Sequence, residues 1–94
     1  MKFTNQVIES QDVLLDGNQF VDCTFQRCKL IFMGIALPSL KNSTMDECTW
    51  HFTGPAENAL HFMASLYAQG GEAKVLIERT FENIRNGEKP AIVH

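Results

Sequence analysis

Between Leu15 and Trp50 every fifth residue is large and apolar: Leu15, Phe20, Phe25, Leu30, Ile35, Leu40, Met45 and Trp50. Two residues before each stands Val13, Asn18, Cys23, Cys28, Met33, Pro38, Ser43 or Cys48, a set made mostly of small side chains. A period of five fits neither the helix nor the flat strand. Large and small residues repeating at fixed offsets instead mark a chain that buries its apolar side by stacking one short unit on the next. Residues twenty apart then share a face, which places Leu30 by Trp50, Cys28 by Cys48, Ile31 by His51 and Phe32 by Phe52. The position two after the central residue points outward. Asp22, Arg27, Asn42 and Glu47 suit solvent there, whereas Phe32 and Phe52 need a cover.

The units N-Q-F-V-D, C-T-F-Q-R, C-K-L-I-F and C-T-W-H-F resemble pentapeptide repeats. The resemblance spans about residues 13 to 52. It implies a right-handed square β-coil of about two turns, with four five-residue sides per turn and the large and small residues of each unit turned inward. A twisted antiparallel sheet of short strands is the alternative.

The rhythm changes after Phe52. Thr53-Gly54-Pro55 ends the repeats and opens a helix, since proline suits a first helical position. Ala56, Ala59, Leu60, Met63, Leu66 and Tyr67 recur at helical spacing until Gly70-Gly71. A second helix, about Glu72 to Asn86, carries Ala73, Leu76, Ile77, Phe81 and Ile84 on its apolar side and stops at Gly87. The expected fold is α+β in a single domain, residues 1–94, with a β-repeat part over about 3–53, a helical hairpin over about 55–86 and an extended tail over 87–94. Phe3 to Ile8 reads as a capping strand, and the first helix as the lid for Phe32 and Phe52. The stretch C-T-W-H-F-T-G-P-A-E-N-A-L-H-F-M-A-S-L-Y-A-Q-G-G, with E-R-T-F-E-N-I after it, also resembles a group of short bacterial proteins with a C-terminal helical hairpin. That likeness implies the same arrangement and carries no activity.

Composition narrows the function classes. The 94 residues are 45% hydrophobic and 20% charged, and no apolar run approaches the roughly 18 residues of a membrane span. The N-terminus shows no secretory pattern, so the expected compartment is the cytoplasm. A formal charge of −3 argues against nucleic-acid binding through bulk charge. Three cysteines make no disulfide framework. Cys23, Cys28, Cys48 and His51 have the residue types of a zinc site but not its spacing, and the repeat turns the cysteines inward and His51 outward. Small inward fillers are the better reading, with no metal and no cofactor.

Catalysis finds no support: the repeat buries all three cysteines where a nucleophile needs an exposed thiol beside a base, His61 falls within the first helix beside Leu60 and Phe62 as a packed histidine ordinarily does, His94 is terminal, and no phosphate loop or hydrolase motif occurs. The expected class is a non-enzymatic interaction or binding module acting as a homo-oligomer, because two coils leave an open edge of unpaired backbone groups. Leu14, Val21, Leu37, Ile92 and Val93 are the candidate interface residues. The alternative is a protein that sequesters an anionic, nucleotide-like metabolite. Trp50, His51, Tyr67, Arg79 and Arg85 would then combine aromatic platforms with guanidinium groups, in a pocket between repeats and helices or between subunits. Mimicry of DNA, which the pentapeptide resemblance also brings to mind, ranks last because two coils are too short for it.

Overall fold

The structure, a computed structural model, describes residues 1–87; Ile92 and Val93 lie outside the described residues. The chain divides into two compact units, Met1–Asn58 and the residues from Ala59 onward. The first unit holds nine short strands in three groups. They are β1 (Lys2–Thr4), β2 (Val7–Glu9) and β3 (Asp12–Leu14); β4 (Gln19–Val21), β5 (Thr24–Gln26) and β6 (Lys29–Phe32); and β7 (Ser39–Lys41), β8 (Thr44–Asp46) and β9 (Thr49–Phe52). Strands pair across groups into three sheets, β1-β4-β7, β2-β5-β8 and β3-β6-β9, and the pairings are parallel throughout. The chain therefore visits each sheet once per circuit, as a short β-coil requires, and the antiparallel alternative does not hold.

The register realises the twenty-residue stacking: Leu30 pairs with Trp50, Ile31 with His51 and Phe32 with Phe52. Three circuits are present rather than two. Phe3, Ile8 and Val13 pair with Phe20, Phe25 and Leu30, so the N-terminal residues are a full first circuit, and Val13 is a central large residue, not a small filler. The shift arises on the return to the first sheet. From Val13 the next central residue, Phe20, follows after seven positions, whereas Leu30 is followed by Leu40 after ten. A shorter return breaks the phase that the later repeats keep.

Turning at the corners needs a left-handed backbone. Asn5, Ser10, Asp22, Arg27, Asn42 and Glu47 all have φ between 50 and 55°, each two residues after a central residue. Their side chains point to solvent, and their amides continue the ladder: Asn5 N–H donates to the Val21 carbonyl and Asp22 N–H to that of Lys41, at 2.9 and 3.0 Å. The third sheet turns differently. Both β6 and β9 run one residue longer, so Phe32 and Phe52 stay in strand conformation and meet edge to face with ring centroids 6.2 Å apart. Phe32 is half-buried against the core and does not occupy the outward corner expected of it.

The core is the middle circuit. Phe20, Phe25 and Leu30 are buried, together with Cys23, Cys28 and Leu15, because only the middle circuit has neighbours on both sides. Phe3 stacks on Phe20 at 5.0 Å, and Phe20 meets Phe25 edge-on at 5.1 Å. Each large side chain so enclosed contributes about 1.5–3 kcal/mol. Leu40 and Met45 of the last circuit are half-buried, and Trp50 stays 48% exposed.

Helix α1 (Gly54–Gln69) begins in the first unit and continues into the second; α2 (Gly71–Arg85) follows after Gly70. Within the hairpin, Ile77 and Thr80 are buried and Met63, Leu66 and Ala73 half-buried. The buried stripe of α2 is thus rotated from the one its apolar residues suggest: Leu76, Phe81 and Ile84 are exposed, while Thr80 tolerates burial by donating its hydroxyl to the Leu76 carbonyl at 2.8 Å. Tyr67 joins the two helices, with its hydroxyl 3.4 Å from Glu78 Oε1 and the Lys74 ammonium 5.1 Å from its ring centre.

Candidate functional site

The cysteines have a structural assignment. Cys23 Sγ lies 3.5 Å from the Phe3 carbonyl and Cys28 Sγ 3.3 Å from that of Ile8; Cys48 Sγ lies 3.4 Å from that of Phe25. Ser43 Oγ, in the equivalent position on the first side, lies 3.4 Å from the Phe20 carbonyl. Each small inward group therefore donates to the carbonyl of the central residue one circuit back, and each also reaches the carbonyl two residues before itself. The common requirement is a small weak donor beside an inward-facing carbonyl, which cysteine and serine both meet. All three cysteines are free, with Cys23 and Cys28 buried and Cys48 partly exposed.

A second polar device fixes the long return segment after β6. Asp16 accepts the Met33 amide at 2.7 Å on one carboxylate oxygen and the amides of Ile35 and Ala36 at 2.8 and 3.3 Å on the other. Desolvation pushes the Asp16 carboxyl up, but the backbone N–H groups of Met33, Ile35, Ala36 and Gly34 outweigh it and hold the group below the ordinary aspartate range. The segment so held positions the start of α1. The Met33 carbonyl accepts the Ala56 amide at 2.9 Å, satisfying one of the donors a helix N-terminus leaves free. Gly34 lies against the same turn, so close that a Cβ on it would stand 2.8 Å from the Ala56 nitrogen.

The residues expected at a ligand site fall on both units. Trp50 and His51 lie on β9, both exposed. Tyr67 lies on α1, and Arg79 and Arg85 on α2. Of the five, Tyr67 and Arg85 line one groove in the helical hairpin, whose described lining does not include Arg79. The expected interface residues are on separate sides of the coil: Leu14 on β3 beside Ile31, Val21 on β4 between Thr4 and Lys41, and Leu37 on the return segment, 88% exposed. Ile35 also belongs to that segment and is 70% exposed, so its place in the fivefold period is coincidental.

The groove has a volume of about 940 Å³. Helix α1 supplies Leu60, Met63, Ala64 and Tyr67 to it; α2 supplies Ile77, Phe81 and Ile84, with Glu78, Glu82 and Arg85 among them. Its walls are apolar and its charges come from α2 alone. Helix α1 carries one acidic side chain, Glu57 in its first turn, and no Lys or Arg, and yet exposes Leu60, Tyr67 and, most of all, Phe62 at 65%. A helix apolar on several faces belongs in an interior, not in water. The spacing of Leu60, Met63 and Tyr67 was visible in the sequence. Their exposure was not, because periodicity tells which residues share a face and not what covers it. A smaller hollow of about 400 Å³ opens at the first circuit, beside Phe3, Ile8, Val13 and Phe20.

No family model matches the chain. No curated protein and no solved structure is significantly similar to it. Among the described residues no helix is long and apolar enough to cross a membrane.

Proposed function

We propose that this chain is a non-enzymatic interaction module that works as a homo-oligomer, with the apolar groove of its helical hairpin as the surface that meets the partner. The observation that carries the reading is the exposure of Leu60, Tyr67, Phe81 and Ile84 around a groove in a hairpin whose first helix has a single charged residue. Contiguous apolar surface of this kind on a small protein marks an interaction site. The β part, read as a right-handed coil of the pentapeptide type, serves as a stiff support: its core is a buried cluster of apolar side chains, its thiols are occupied and its corners are held by backbone hydrogen bonds. An anionic metabolite suits the groove less well than a protein does, since Glu78 and Glu82 oppose Arg85 there.

Light scattering across a concentration series tests the proposal. Wild-type protein should show a mass above that of one chain at micromolar concentration, and Phe81→Glu, which places a charge in the groove wall, should return it to one chain with its helix content intact. A wild-type protein that stays monomeric throughout the series would remove the proposal.

A further inference from the structure

We infer that the occupant of the groove is the same hairpin of a second copy, packed about a two-fold axis that runs across the helices, so that α1 lies antiparallel to its counterpart and α2 to its own. The inference rests on the reading of the hairpin as an oligomerisation surface and specifies the geometry of that surface. An isologous interface must be self-complementary about its axis, so each residue on one side of the axis needs a suitable partner on the other. The groove meets this condition at one level on both helices. On α1 the lining residues are placed evenly about the point between Met63 and Ala64: Leu60 would face the partner copy's Tyr67, and Met63 its Ala64, large against small. On α2 two pairs, Glu78 with Arg85 and Phe81 with Glu82, are placed evenly about the point between Phe81 and Glu82, which sets Glu78 against Arg85 of the second copy and Arg85 against its Glu78, while Ile77 and Ile84 have no mirrored counterpart in the lining. The two levels coincide across the hairpin. Tyr67 contacts Glu78, and counting from that contact up α2 and back along α1 by the same number of residues reaches both midpoints together.

Charge selects this arrangement over the other two-fold packing of hairpins. With the axis parallel to the helices, α2 would lie over the partner's α1, and Glu78 and Glu82 would face a groove wall of Leu60, Met63, Ala64 and Tyr67, none of them a cation. Glu78 and Glu82 stand four residues apart on one helical face, a like-charge spacing that destabilises an isolated helix. Within one chain Arg85 is three residues from Glu82 but seven from Glu78, about 10.5 Å along the axis. Lys74, the cation one turn before Glu78 on its own helix, lies over the Tyr67 ring, and the second copy's Arg85 brings a further cation to Glu78 from across the groove.

Reciprocal charge exchange tests the geometry. Glu78→Arg leaves two cations at each contact and Arg85→Glu leaves two carboxylates, so each variant alone should dimerise on the order of tens of fold more weakly than wild type. An equimolar mixture of the two should form a heterodimer with affinity near wild type, and the double variant E78R/R85E should recover a homodimer. Raising the salt concentration should narrow these differences. Both positions are exposed on the helix, and circular dichroism of each variant reports whether the hairpin remains folded. A wild-type monomer would overturn both the oligomer reading and the geometry. A wild-type dimer whose mass is unchanged in both single variants, or single variants that weaken without rescue on mixing, would overturn the geometry alone. A groove filled by the chain's own residues or by an unrelated protein would give no heterodimer on mixing and would overturn it equally.

Discussion

Replacing Gly34 by alanine should be among the most damaging single-methyl additions in the first unit. Gly34 has φ +85°, where a side chain costs about 1–2 kcal/mol by itself. The added Cβ would also stand 2.8 Å from the Ala56 nitrogen and 3.1 Å from both its Cα and its Cβ. These neighbours are mainly backbone of the first turn of α1, and they cannot move aside without straining the 2.9 Å bond from the Ala56 amide to the Met33 carbonyl. Overpacking of this kind adds about 1–3 kcal/mol, for a total of about 2–5 kcal/mol. Gly17→Ala is the control. Its φ is +70°, so the backbone strain is similar, but the nearest atom to the new Cβ is the Ala36 side chain at 3.6 Å, an ordinary contact. It should cost only about 1–2 kcal/mol. Urea unfolding of both variants, followed by circular dichroism, separates strain from collision. If G34A and G17A lose stability equally, the close approach of the return segment to α1 is not what requires glycine at position 34.

Three further outcomes follow from the coil. Phe25 and Met45 share one inward column, with Phe25 buried in the middle circuit and Met45 half-buried in the last; Phe25→Ala should cost about 3–5 kcal/mol and Met45→Ala about 1–2, and equal losses would contradict a core centred on the middle circuit. Under native conditions a thiol reagent should modify Cys48 first and leave Cys23 and Cys28 protected until unfolding, and rapid labelling of all three would show that the inward positions are open. The Asp16 carboxyl titrates lower in the folded chain than in the unfolded one, so its contribution to stability is complete above about pH 4 and disappears as the pH falls through the folded value. Asp16→Asn should flatten that part of the acid-unfolding profile, and a profile identical to wild type would remove the role given to its backbone contacts.

The sequence made part of this structure legible, for identifiable reasons. The fivefold spacing from Phe20 to Trp50 encodes the pairings of β6 with β9, since residues at equal offsets in stacked circuits must meet. The outward polar residues Asp22, Arg27, Asn42 and Glu47 marked corners that the backbone confirms with positive φ. The first circuit was hidden because its return segment is three residues shorter, which moves Phe3, Ile8 and Val13 out of phase with everything after them. Asp16 was hidden for another reason: one acid between Leu15 and Gly17 has no pattern, and its partners are amides seventeen to twenty residues away. The helices were placed closely from Pro55, Gly70 and Gly87, but their exposed and buried faces depend on packing that spacing leaves open. For the same reason Tyr67 and Arg85, considered in the sequence as parts of an anion pocket, stand in the structure on a groove they share with two acids.

Hydrogen exchange measured at low and high protein concentration tests most directly whether the hairpin is the surface through which the chain acts. Amides around Leu60–Tyr67 and Ile77–Arg85 should gain protection as concentration rises, while those of β1 to β9 stay constant. Protection that rises along the strands instead, or at no site, would contradict the account.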